Sequence, residues 1–161
     1  VYKKPDLEKI KNIITDLSGR TDLVIVNMHW GVEYSHVFNK VQQVLAHKLI
    51  EAGADLIIGH HPHVVQGLEI YQNKLIFYSL GNFIFDQYFS RDTQEELAVE
   101  IVWVADGQSR AILYPMISQQ SQPSLMIGKE KEKYLAKIAG WSKGDIKLLK
   151  QIKAGEIAIN F

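Results

Sequence analysis

Apolar positions along this chain fall into two regimes. Leu7, Ile10, Ile14 and Leu17 recur at helical spacing after Pro5, whose fixed φ suits a helix start, and Ser18-Gly19 closes the stretch. The run from Asp22 to Met28 is short, almost wholly apolar and β-branched, which predicts a strand covered on both faces. Val37, Val41, Val44, Leu45 and Leu49 then fit a second helix closed by Gly53, and Asp55 to Ile58 reads as another buried strand. Helix, strand, helix, strand with short connections predicts crossover units and parallel neighbours in an α/β layer, with sites gathered beyond the carboxyl ends of the strands.

Beyond residue 63 the period changes. Segments 64–71 and 74–79 flank Gln72-Asn73, and 95–104 and 110–117 flank Asp106-Gly107, so two hairpins and an antiparallel, β-rich second half are expected. Gln87 to Glu96 reads as a polar mobile loop, and the Ser-, Gln- and Pro-rich 118–128 as a linker or edge-hugging segment. Helices are expected over 129–139 and from Gly144-Asp145 to about Lys153, with an edge strand at 157–161. The expected organisation is a main unit over 1–119 and a helical tail over 120–161 packing on it or extending from it.

Composition narrows the chemistry. At 161 residues and 47% apolar content, the chain can bury a core. Eighteen basic and eighteen acidic side chains cancel, so no net field favours nucleic acid or an anionic membrane. Cysteine is absent, which excludes disulfides and thiolate sites, so any metal must sit on nitrogen and oxygen. No apolar run reaches the roughly 18 residues of a membrane span, and no signal pattern opens the chain.

Three of the six histidines stand in Gly59-His60-His61-Pro62-His63-Val64, directly after the second strand, and His29 ends the first. Neutral imidazole is the commonest nitrogen ligand for divalent metals, and parallel strands would bring the two places together. Against this stands the plainer reading of a polar loop with incidental histidines. Glu33, four residues after His29, could orient a ligand, bind substrate or act as general acid or base; an exposed carboxylate there would otherwise be unremarkable. Asn82, beside Gly81, could donate to a phosphate or carboxylate oxygen or simply close a turn. Trp30 and Tyr34 would wall a pocket or pack in the core, His36 and His47 read as structural, and Asp86 and Arg91 are the weaker candidates for substrate contact.

His29-Trp30-Gly31-Val32-Glu33-Tyr34, Gly59 to Val64 with Gln66 and Glu69, and Tyr78-Ser79-Leu80-Gly81-Asn82-Phe83 together resemble the CapA family of bacterial capsule and poly-γ-glutamate synthesis proteins. Three ordered motifs over about ninety residues carry the likeness; the stretch beyond Gln119 adds nothing to it. The resemblance implies the carboxyl half of a calcineurin-like metallophosphoesterase sandwich, two β-sheets flanked by helices around a dinuclear centre. It puts His29, His61 and His63 in the metal shell, with His60 a second choice, Glu33 and His61 as catalytic candidates, and Asn82 and Trp30 at the substrate. Two divalent ions are implied, without a choice among manganese, zinc, iron and magnesium.

The Gly-Asp, Asn-Leu-Glu and Asn-Asn-His segments that open the family pattern are not found in this chain. The chain opens at Val1 rather than methionine, and the expectation is a missing amino-terminal half of the same fold that supplies the oxygen ligands. Two functions compete: a metal-dependent hydrolase acting at the cell surface on a polymer or phosphoester substrate, tethered through a segment outside this chain, and a non-catalytic scaffold within a membrane-bound polymer-synthesis complex. On either reading the segment alone is expected to be inactive and to bind metal poorly. A cytoplasmic location is the alternative to the surface.

Overall fold

Alternation within two short strands divides the interior in two. The computed structural model describes residues 4–105 and 109–159, and in it β2 (Leu56–His60) sends Ile57 toward one core and Leu56 and Ile58 toward the other. The first core lies under α1 (Lys4–Ser18) and α2 (Lys40–Glu51), where Ile14, Leu49 and Ile50 meet Ile57, Ile76 and Tyr78. The second lies between the two sheets and is completed by α3 (Gly128–Trp141) and α4 (Ile146–Ala154) through Tyr134, Leu135, Ile138 and Ile152. The architecture is therefore α/β, with two sheets flanked by helices.

The first sheet has the order β1-β2-β4-β3, with β1 spanning Ile25–His29, β3 Leu68–Tyr71 and β4 Lys74–Phe77. β1 and β2 run parallel in register from Ile25–Leu56 to His29–His60. The turn Gln72-Asn73 has φ of +47° and +64°, the two left-handed residues that a two-residue hairpin needs. That hairpin does not open an antiparallel half, however. β4 pairs parallel with β2, so the first sheet is mixed and only β3 runs against the rest.

The second sheet is antiparallel and built on β6 (Ser109–Gln119), which carries β5 (Glu95–Val102) along one edge. Its other edge is shared by β7 (Gln122–Leu125) near one end and β8 (Glu156–Ile159) near the other. Pro115 sits in the gap between them. The Leu113 amide on that side donates to Gly155, so proline's missing N–H two residues on falls where no strand is waiting for it. The Asp106-Gly107 turn expected between β5 and β6 lies outside the described residues, as do Asn160 and Phe161 at the end of the expected edge strand.

Of the two readings of 118–128, linker or edge-hugging segment, the second holds: Gln120 and Ser121, at φ of +51° and +60°, make a tight turn that returns the chain as β7 along β6. Three expectations are corrected. Segment 87–96 is not a free polar loop to its end, because Glu95 and Glu96 are already buried in β5 and Thr93, 2% exposed, ties the turn to the carbonyls of Gln87 and Ser90. β1 is covered on one face only: Met28 packs under the helices, while Ile25, Asn27 and His29 are exposed on the other. α2 is rotated from its apolar arc. Val37, Val41 and Val44 are exposed, and the helix instead buries Gln42 and Gln43 beside Ala46, Leu49 and Ile50.

Buried glutamine is tolerable because each amide is paired. Gln42 donates to Gln66 at 2.8 Å, and Gln66 donates to the Ser35 carbonyl at 2.8 Å. Gln43 reaches both oxygens of Glu69. The same carboxylate accepts from the Tyr78 hydroxyl at 2.6 Å and contacts His47 Nε2 at 3.2 Å. Burial first, and the hydrogen bond to Glu69 second, hold the Tyr78 phenol protonated well above the usual range. Residues 120–159 supply β7, β8 and the helices that fill the second core.

Candidate metal centre

Strand register and two glycines bring the histidines together. His29 and His60 are directly opposed at the carboxyl ends of parallel β1 and β2, and Trp30 N–H donates to the His60 carbonyl just beyond. Gly59 lets these strands approach β4. A Cβ there would lie 2.0 Å from the Tyr78 carbonyl oxygen and 2.6 Å from the Trp30 indole nitrogen. Gly31, at φ +102°, folds the chain after β1 back over Pro62, and Tyr34 N–H donates to the Pro62 carbonyl at 2.8 Å. The Gln42–Gln66–Ser35 relay fixes that loop from beneath.

The resulting cluster is compact. One ligand atom each from Glu33, His61 and His63 lies within 4.8 Å of the others, and the His29 ring centroid is 4.6 Å from that of His61. His61 and His63 both have positive φ, +102° and +61°, as does Tyr34 at +63°. For non-glycine residues such backbone costs on the order of 1–3 kcal/mol each and persists where the surroundings impose it.

Asn82 does not point at open space: its amide is fully engaged. Nδ2 donates to the Thr93 carbonyl at 2.9 Å and to Gln87 Oε1 at 3.3 Å, so the oxygen is the atom turned to His63. That oxygen lies 2.9 Å from His63 Nδ1 and can only accept. The proton is therefore on Nδ1, and Nε2 carries the free lone pair a metal needs. Asn82, expected at the substrate, is also a partner of His63, and a contact across 19 residues has no local signature.

The other candidates separate. Trp30, expected at the substrate, is turned into the core at 8% exposure, its Nε1 donating to the Tyr78 carbonyl at 2.9 Å and its ring stacked on Tyr78. His60 is exposed at the strand end, and partial desolvation of its ring, followed by the neighbouring His29, lowers its pKa. His36 lies flat on Trp141 at 3.9 Å and donates to the Val65 carbonyl, and His47 stacks on Tyr71 at 3.6 Å, both in packing roles. Arg91 is held by Glu95 and Glu130, while Asp86 is exposed on the loop after β4.

A donor set of imidazole nitrogens with one carboxylate, rings held by a strained backbone and one ring fixed by an amide, could hold a divalent cation on nitrogen and oxygen. The fit is to nitrogen- and oxygen-bound metal, consistent with the absence of cysteine.

Known proteins carry the same region. The family described as bacterial capsule synthesis protein PGA_cap matches residues 2–87, more than half of the chain and every residue of the cluster. The chain belongs to this family. It is 37% identical over 150 residues to the capsule biosynthesis protein CapA of Bacillus anthracis, covering 88% of this chain and 36% of that protein. To the PGA biosynthesis protein CapA of Bacillus subtilis (strain 168) it is 39% identical over 112 residues, 70% of this chain and 29% of the relative. A probable polyglutamine synthesis accessory protein of Mycobacterium tuberculosis is 38% identical over 65 residues, 40% of this chain and 17% of that one. The chain thus spans about a third of the length of the first two relatives. No helix among the described residues is long and apolar enough to cross a membrane.

Proposed function

We propose that this PGA_cap chain carries the histidine side of a metal-dependent hydrolase that serves capsule or poly-γ-glutamate synthesis and processing at the cell surface. One observation carries the reading: Glu33, His61 and His63 offer ligand atoms within 4.8 Å of one another, with His29 beside them. When bound, divalent ions would supply Lewis-acid polarisation of a phosphoryl or acyl oxygen and a water acidic enough to ionise near neutral pH. The chain's own contribution is to hold the imidazole nitrogens, to keep the His63 proton on Nδ1 through Asn82, and to present Glu33 either as a ligand or as a proton acceptor at the reacting water.

Further oxygen ligands come, on this reading, from an amino-terminal segment of the same fold. Two features support a place for it. β1 is an edge strand of the described sheet, with Ile25 exposed at 43%, and the valine stripe of α2 is exposed near it in sequence order. A tether through such a segment would keep the enzyme at the surface, as the names of the relatives suggest for capsule assembly.

The test uses the protein at its full natural length. Bound manganese, zinc and iron are quantified, and hydrolysis of bis(p-nitrophenyl) phosphate is followed in the native protein and in His61→Ala and His63→Ala. Stoichiometric metal and a loss of turnover by a factor of about 100 or more in each variant are expected. Metal-free protein with unchanged hydrolysis in both variants sinks the catalytic reading and leaves the scaffold function.

A further inference from the structure

Beside the histidines stands a set of large apolar side chains that the core does not use. Phe83, Ile84, Phe85 and Phe89 are 52%, 68%, 42% and 68% exposed, and Tyr34 is 46% exposed. They are continuous with the cluster. Tyr34 stacks over His63 at 6.1 Å between ring centroids, Phe85 lies 5.3 Å from the same ring, and Phe89 meets Tyr34 edge-on at 5.5 Å. Any group bound at His63 meets these faces.

The loop that bears them is braced rather than collapsed. Asn82 and Thr93 close its base, and Ser121 in the β6–β7 turn bonds the Phe85 carbonyl and the Tyr88 hydroxyl. With backbone and polar groups so held, the aromatic rings stay outside, and a concentrated apolar patch of this kind commonly marks a ligand or interaction site. The position matters too. The rim follows β4, whereas the open edge of the first sheet belongs to β1, with β2 and the turn bearing His61 and His63 in between. A strand added at β1 would approach the cluster from the opposite side.

The rim's charge selects what it can hold. Segments 29–36, 59–66 and 82–90 contain no Lys or Arg, and their acidic residues are Glu33 and Asp86. A chain bearing a carboxylate on every unit would find no counter-charge there beyond a bound metal. We propose that Tyr34, Phe83, Ile84, Phe85 and Phe89 form the apolar half of an amphiphile site: an oxyanion head at the histidines, with an attached hydrocarbon or flat apolar body lying across the rim. This rests on the metal-site reading above and names its substrate class, a phosphoester with an apolar substituent rather than the bare polyanion. The head and body could belong to a membrane lipid phosphate or to a soluble ester; the binding chemistry is the same.

The full-length protein is titrated with manganese first, then with 1-naphthyl phosphate and with inorganic phosphate, reading naphthyl fluorescence and its displacement. Naphthyl phosphate is expected to bind on the order of tenfold more tightly than phosphate, since the ring buries apolar area against the rim. Phe85→Ala and Phe89→Ala, both at exposed positions and so expected to fold, weaken naphthyl phosphate more than phosphate and reduce that ratio at least about threefold. Equal affinity for the two ligands, equal weakening of both by the variants, or tighter binding of a γ-glutamate oligomer than of naphthyl phosphate overturns the inference. Failure to bind manganese overturns the hydrolase reading instead, because the naphthyl-to-phosphate ratio is measured with and without the ion. Co-sedimentation with phosphatidylcholine vesicles containing phosphatidic acid separates the sources: binding that resists salt and is lost in Phe89→Ala identifies the lipid, and absence of sedimentation with the naphthyl preference intact identifies a soluble ester.

Discussion

The amide oxygen of Asn82 accepts a hydrogen bond from Nδ1 of His63 at 2.9 Å, across 19 residues of chain. Because the Asn82 nitrogen is spent on the Thr93 and Gln87 oxygens, the amide cannot turn over and the imidazole tautomer is set. Partners of this kind typically contribute a factor of about 10–100 in metal affinity. Asn82→Ala is therefore expected to weaken manganese or zinc binding by about that factor, read by calorimetric titration, and Asn82→Asp to retain most of it. Unchanged affinity in Asn82→Ala would show that His63 needs no such support.

Gly59 makes a second prediction, about stability. A methyl group 2.0 Å from the Tyr78 carbonyl oxygen cannot be accommodated by a side-chain rotation, so β2 and β4 must separate. Gly59→Ala should cost on the order of 2–4 kcal/mol in urea unfolding. Its effect should reach the cluster, because His60 and His61 follow directly.

Glu96 should make the fold sensitive to alkali. It is 1% exposed, its carboxylate oxygens lack hydrogen-bond partners among the described residues, and burial raises its pKa to about 7, with the nearby Ser118 hydroxyl acting in the opposite sense. A folded-state pKa above the unfolded value near 4.5 means the native state holds the proton more tightly. That contribution is fully present below about pH 4.5 and is lost as pH rises through about 7. Glu96→Gln should flatten the decline and stabilise the protein at pH 8 by roughly 2 kcal/mol. A decline between pH 5 and 8 that is the same in the variant would assign it to another group.

The Glu69 network predicts coupling. Tyr78→Phe removes one donor from a carboxylate buried to 6% exposure, leaving Gln43 and His47 on it, and should cost about 1–2 kcal/mol. Gln43→Leu should cost a similar amount, and the double variant should depart from the sum, since both act on the same oxygens. Strict additivity in chemical denaturation would mean that the Glu69 bonds are independent.

These sites show what could be read from residue order and what could not. The β1–β2 pair and the gathering of His29, His61 and His63 were legible, because apolar runs mark buried strands and parallel strands place their ends together. The outward turn of Val37, Val41 and Val44 was not legible. What decides the face of α2 is the pairing of Gln42 and Gln43 with Gln66 and Glu69, more than 20 residues on, and hydropathy alone ranks valine inward. The Gln120-Ser121 hairpin escaped because neither residue is a usual left-handed one; β6 imposes the turn by pairing on both sides of it. Asn82 was legible as an amide beside Gly81 and Trp30 as an aromatic beside the strand end, but their partners, His63 and Tyr78, are tertiary.

The edge position of β1 also bears on how this polypeptide behaves in a test tube. Five residues whose outward N–H and C=O groups have no neighbouring strand among the described residues, with Ile25 uncovered and no Lys, Arg or Pro between Ile25 and His29, lack the devices by which proteins blunt an edge. Two copies of the chain handled alone can zip together there, so its solubility should fall steeply with concentration. A charged residue placed at Asn27, on the uncovered face, is the economical remedy.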